Sequence, residues 1–204
     1  MSARRREYLK IEALELVRNG SRQESEEAKA TMLEEAIAKY RDYLGLEENK
    51  DDDDAWAGLG GAYRRIGDID RAIESYAPAY RLNDESTYAL VNLVSLMAAR
   101  RRPEDEPLLQ DYAACAEARL REKVANGSAD HWTWYDMATL ALIQGNTSES
   151  MTRFLYAVER TPKGATENFA SVLSNLQFLA KHNPGIPGLA EAISLIRKFA
   201  ESPQ

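Results

Sequence analysis

The stretch AWAGLGGAYRRIG, Ala55–Gly67, decides how this 204-residue chain is read. It carries four glycines in ten residues, three of them crowded as Gly58-x-Gly60-Gly61. A phosphate-cradling loop needs a preceding strand, an exposed backbone and glycines at turn positions. Here Tyr63 stands where a G-x-G-x-x-G pattern needs its third glycine. No Walker-type lysine follows, and an acidic run rather than a strand precedes. Trp56, Leu59, Gly60 and Tyr63 instead fall at i, i+3, i+4 and i+7, one stripe of a helix. Glycine inside a helix costs about 1 kcal/mol against alanine, so it needs a compensating reason. Close helix–helix approach supplies one, because a missing side chain lets a neighbour's bulk rest on backbone. The stretch reads as helix, and its glycines as packing and turn residues.

Ile69–Leu82 supplies the neighbour, with Ala72, Tyr76 and Ala79 at i, i+4 and i+7. The 34-residue unit Asp53–Ser86 resembles a tetratricopeptide repeat through Trp56, Leu59, Gly60, Tyr63, Gly67, Ala72, Tyr76 and Ala79. Asp84 replaces the usual proline near its end. His131–Pro162 repeats the offsets with Trp134, Met137-Ala138, Gly145, Ser150, Phe154, Ala157 and Pro162. Between them, Thr87–Ala99 fits a first helix and about Glu104–Ala125 its partner, with Leu108, Tyr112 and Cys115 on the packing stripe. Lys123–Asp130 lengthens that partner and ends it at Asn126-Gly127, and Cys115 reads as a packed core residue.

Outward from these units the pattern weakens but stays helical. Residues 5–18 are apolar at Leu9, Ala13, Leu16 and Val17 and stop at Asn19-Gly20. Ser21-x-x-Glu24 reads as a capping box opening a helix to about Leu46, which shows Met32, Ala36, Tyr40 and Tyr43 on one face. The acidic run Glu47–Asp54 lacks the alternating ligands and turn glycine of a calcium loop. It reads as a solvated linker whose last Asp caps the next helix. Phe169, Val172, Leu173 and Leu176, then Leu189, Ile193, Ile196 and Phe199, give a final hairpin broken at Asn183-Pro184-Gly185.

The resemblance implies an all-α, right-handed α-solenoid of about four helical hairpins and eight helices, one domain over 1–204. Its segments are a degenerate hairpin at 5–46, a repeat at 53–86, and a repeat-like unit at 87–125 with a long second helix. A second repeat at 131–162 and a capping hairpin at 166–201 complete it.

Composition excludes several function classes. The chain is 44% apolar and 29% charged, well outside the disordered range. Its formal net charge of −7 is opposite to that of most nucleic-acid binders. The basic clusters Arg4-Arg5-Arg6 and Arg100-Arg101-Arg102 are short and fall at helix ends, where cations are ordinary. One cysteine and two histidines, His131 and His182, leave no multi-Cys zinc site and no ligand cluster. No apolar run follows the basic N-terminus, and nothing approaches the roughly 18 apolar residues of a membrane span. The expectation is a cytoplasmic protein without cofactor, metal, nucleic acid or membrane partner. No motif with a catalytic mechanism is visible, so it is expected not to be an enzyme, and His131 is read as a cap or interface residue.

In tetratricopeptide proteins the first helix of each hairpin lines a concave groove. The resemblance places Ala57, Gly61, Arg64 and Arg65 there from one unit, and Tyr88, Val91, Asn92, Ser95 and Ala98 from the next. Trp132, Tyr135, Thr139 and Leu142 follow from the third. Of the family's carboxylate-gripping positions only Asn92 matches, Ala57 and Gly61 standing at the others, so that grip is not expected. The implied function is capture of a peptide or protein partner, with Arg64 and Arg65 able to hold a carboxylate or phosphate. Residues 131–177 are also similar to a sensor-type branch found in bacterial defence and signalling proteins and in apoptosis signal-regulating kinases. The similarity rests on Tyr135–Ala141, Phe154, Ala157 and Ser174–Leu176, and implies a nucleotide-derived small molecule as the alternative ligand. Trp56→Ala is expected to cost about 3–5 kcal/mol as a core truncation, and Tyr135→Ala far less as a groove residue.

Overall fold

The computed structural model describes residues 3–23 and 25–201, and within them every regular element is helical. Ten α-helices are present among the described residues, two more than expected: α1 (Ala3–Gly20), α2 (Glu26–Leu44), α3 (Asp53–Ile66), α4 (Ile69–Leu82), α5 (Thr87–Arg100), α6 (Glu106–Ala125), α7 (His131–Ile143), α8 (Thr147–Arg160), α9 (Thr166–His182) and α10 (Leu189–Glu201). The difference is one of counting, since each of the five expected segments holds a pair. The chain divides into two compact units, residues 1–89 and 90–204, with the division inside α5. Among the described residues, no helix is long and apolar enough to cross a membrane.

In the first unit α1 packs on α2, α2 on α3, and α3 on α4. The glycines of α3 explain the last two contacts. A Cβ at Gly60 would lie 2.6–2.9 Å from three ring atoms of Tyr76, which is wholly buried. A Cβ at Gly58 would lie 2.5 Å from the Tyr40 hydroxyl of α2 and 2.6 Å from its ring. Two tyrosine rings from the flanking helices thus rest on bare α3 backbone. Gly67, at φ +84°, ends α3 in the left-handed region, and Asp68 caps α4 by accepting from the Arg71 N–H.

The helix starts differ from expectation at two places. Ser21 closes the end of α1, its hydroxyl donating to Val17 O, and Ser25 caps α2 by accepting from the Ala28 N–H. The other half of the expected capping box, Glu24, lies outside the described residues. Before α3 the cap is Asp52 rather than the last Asp of the run. Its carboxylate accepts from the Ala55 N–H at 2.9 Å, from Lys10 of α1 at 2.7 and 2.8 Å, and from the Tyr43 hydroxyl of α2 at 2.8 Å. Burial pushes this carboxyl up, but the bonds from Lys10, Ala55 and Tyr43 outweigh it and hold it below the ordinary value. The acidic run is therefore a junction of three helices as well as a linker.

In the second unit α7 packs on α6 and α8, and α10 on α9 and α8. α7 opens with a capping box, Asp130 accepting from the Thr133 N–H at 2.8 Å while its own N–H donates to Thr133 Oγ1. Ser150 occupies the small-residue slot of α8 and is fully buried, its hydroxyl donating to Ala138 O of α7 at 2.9 Å. A buried guanidinium joins three helices. Arg153 of α8 donates to Glu117 of α6 at 2.6 and 3.0 Å, to Glu149 at 2.6 Å, and to Met137 O of α7 at 2.8 Å. α10 buries Leu189, Ala192 and Ile196, and its Phe199 stacks on Phe169 of α9.

Candidate functional site

The sequence-derived site residues fall into both units. In the first, Arg64 and Arg65 end α3 and Tyr88 opens α5. Tyr88 is 54% exposed, and its hydroxyl lies 3.3 Å from that of buried Tyr76, with the two rings edge to face. Arg65, also exposed, donates to Gly61 O at 3.0 Å. A Cβ at Gly61 would lie 3.1 Å from an Arg65 nitrogen, 3.4 Å from the Tyr76 hydroxyl and 3.8 Å from the Tyr88 hydroxyl. Two phenols and a guanidinium therefore converge over one bare turn of α3.

Arg64 belongs to the same field. Burial pushes its guanidinium down, Tyr76 and Tyr88 counteract this, and neighbouring Arg65 reinforces it. Burial likewise drives the Tyr76 phenol well above its ordinary value, with Tyr88 adding to the shift. Tyr40 is pushed up to about 12, again by burial first and Tyr88 second. Both phenols are buried and stay protonated at neutral pH, and the Tyr76 hydroxyl is already paired with that of exposed Tyr88.

In the second unit Trp132, half-buried, lies between His131 and Tyr135, at ring-centroid distances of 5.0 and 5.9 Å. Asn168 of α9 donates to His131 Nε2 at 2.9 Å, an interface role for that histidine. Tyr135 is only 2% exposed. Because the Thr161 hydroxyl donates to Ala157 O, the Tyr135 O–H donates to Thr161 Oγ1, 3.0 Å away. Tyr135 is thus a core residue with a satisfied hydroxyl and does not line an open surface. Val91 is buried too, while Asn92, Ser95 and Thr139 are half-buried, and the Thr139 hydroxyl is turned back onto Tyr135 O.

Two features had no counterpart in the sequence reading. A cleft of about 520 Å³ opens between α2, α3 and α4, walled by Leu44, Trp56, Leu59 and Tyr63 with Arg41 and Arg71 at its edge. Trp56 is therefore half-buried rather than a sealed core residue, its indole donating to Lys50 O at 2.8 Å. On α7 the Asp136 carboxyl is pushed up to about 7, by burial above all, with Lys123 opposing and Asp130 adding. The residue as a whole is half-buried.

Among the described residues, no group of three His, Cys, Asp or Glu side chains is placed to hold a metal ion. No protein-family model matches the chain, and no curated protein matches it.

Proposed function

We propose that this chain is a non-catalytic interaction module of tetratricopeptide type, and that the Arg64–Arg65–Tyr88 face takes an extended acidic segment of a protein partner. The observation that supports this most is the convergence of the Arg65 guanidinium and the exposed Tyr88 hydroxyl, the latter backed by buried Tyr76, around the bare turn at Gly61, with Arg64 beside them in sequence. Guanidinium and phenol donors bind carboxylates through charge-assisted hydrogen bonds. The exposed Tyr88 ring adds apolar contact area, as aromatic anchors do at interfaces. The chain as a whole is acidic, so a basic face on it selects an acidic partner by charge complementarity.

The same donors suit a phosphate, and the Tyr88 ring suits a base, which favours a nucleotide-derived small molecule as the second reading. Calorimetric titration of the full chain with acetyl-Glu-Asp-Phe-Glu-Asp-amide, its Lys-for-acid counterpart and ADP separates the two. Saturable binding of the acidic peptide, weakened at least about tenfold by Arg65→Glu and by added salt, is expected. Binding of ADP without the peptide transfers the face to the small-molecule reading. Binding of neither, or equal binding of the basic peptide, removes the proposed function.

A further inference from the structure

A second, half-open cavity of about 280 Å³ lies against the turn between α5 and α6, wholly within residues 90–204. Met97 and Ala98 of α5, Leu109 of α6 and Ile143 of α7 give it an apolar floor. Arg101, Arg102 and Glu106, all exposed, line it as well. Asp105, which also lines the cavity, is buried and engaged by Arg100 through bonds of 2.6 and 2.8 Å. Asn183, at the end of α9, donates to Ala98 O at 2.9 Å and closes one side.

Among the described residues, Arg101 is the conformational exception. Its φ is +57°, and its N–H closes the last turn of α5 onto Met97 O at 3.1 Å. Every other described residue with positive φ is a glycine: Gly67, Gly127, Gly145, Gly164 and Gly188. An L side chain is disfavoured in this region, which is why helices commonly end there on glycine. The Arg101 side chain is exposed and makes no hydrogen bond or ion pair among the described residues, so no contact of its own offsets the strain. A non-glycine residue in the left-handed region that also lines a cavity suggests a role for its side chain there.

We propose that this cavity binds a small aliphatic carboxylate, its hydrocarbon tail on the apolar floor and its carboxylate held by Arg101. The volume falls just below the roughly 300 Å³ at which drug-sized sites begin, which limits the ligand to about eight to ten non-hydrogen atoms. An apolar floor under a guanidinium selects an acid over the matching alcohol, because only the acid forms a charge-assisted pair. The site is separate from the α3 face and does not depend on it. A free acid and the C-terminal leucine of a peptide share this chemistry.

Methyl NMR of the full chain tests it, with 4-methylpentanoate as probe and 4-methylpentan-1-ol as control. The methyl signals of Met97, Leu109 and Ile143 are expected to shift saturably with a Kd on the order of 1 mM. The alcohol should bind at least about tenfold more weakly. Arg101→Gly should lose about tenfold in affinity while its Tm rises by about 2 °C, since glycine accepts the left-handed backbone. N-acetyl-glycyl-leucine binding more tightly than the free acid assigns a peptide C-terminus as the source, and the reverse order assigns a free acid. Either order upholds the carboxylate site. Methyl signals unmoved at about 20 mM, well above the expected Kd, overturn it. So do equal binding by the alcohol, an Arg101→Gly variant that binds unchanged, and one that is less stable than the parent.

Discussion

Adjacent glycines of α3 should respond oppositely to the same substitution. At Gly60 an added methyl would meet three ring atoms of Tyr76 at 2.6, 2.8 and 2.9 Å, closer than real Cβ contacts come. Tyr76 is wholly buried, so its ring has nowhere to withdraw. Overpacking of this kind costs about 1–3 kcal/mol, and three simultaneous contacts put Gly60→Ala near the upper figure. Alanine returns about 1 kcal/mol of helix propensity. The ring clash wins, for a net loss of about 2 kcal/mol. At Gly61 the nearest atom, 3.1 Å away, is the movable tip of Arg65, and the phenol oxygens stand at 3.4 and 3.8 Å. Propensity then dominates, and Gly61→Ala should be neutral or up to about 1 kcal/mol more stable. Urea denaturation, together with hydrogen exchange of α3 amides to isolate the first unit, gives both numbers. A Gly60→Ala protein as stable as the parent would refute the seating of Tyr76 on bare backbone.

Asp136 should give the chain an alkaline penalty. Its folded pKa of about 7 lies above the ordinary 3.8, so between roughly pH 4 and 7 the unfolded carboxyl ionises while the folded one keeps its proton. Stability from this group is thus present at pH 4, falls as pH rises, and levels off above pH 7. The full linkage is about 4 kcal/mol, and partial solvent contact reduces it to about 2. Asp136→Asn should match the parent at pH 4 and exceed it at pH 8 in denaturant midpoint, and a variant no better at pH 8 contradicts the shift. Glu117→Ala should cost about 3 kcal/mol by leaving buried Arg153 with Glu149 as its remaining carboxylate. The double variant Arg153→Met/Glu117→Leu should recover most of that loss, and additive losses in the cycle would disprove the clamp. Tyr135→Ala should cost about 3–5 kcal/mol and Trp56→Ala less, reversing the order expected from sequence, with thermal unfolding as the readout.

That reversal shows where sequence reading reaches and where it stops. Offsets within one helical hairpin are local, so the seat of Tyr76 on Gly60 follows from spacing along α3 and α4. Tyr40 on Gly58 has no such signature, because no local pattern links residues eighteen positions apart on different hairpins. Choosing Asp52 over Asp54 as the cap required Lys10 and Tyr43, both outside the linker. Repeat register places Tyr135 on a surface, yet it lies in the core with its hydroxyl bonded to Thr161 beyond the end of α8. Arg101 is invisible in sequence for the opposite reason: nothing about an arginine announces a left-handed backbone.

The most direct test of the proposed role is an NMR map of the full chain titrated with acetyl-Glu-Asp-Phe-Glu-Asp-amide. The Arg64 and Arg65 Nε–H signals and the Tyr88 ring should move together with one saturation curve. Saturable shifts confined to other helices, with α3 and Tyr88 silent, would contradict it.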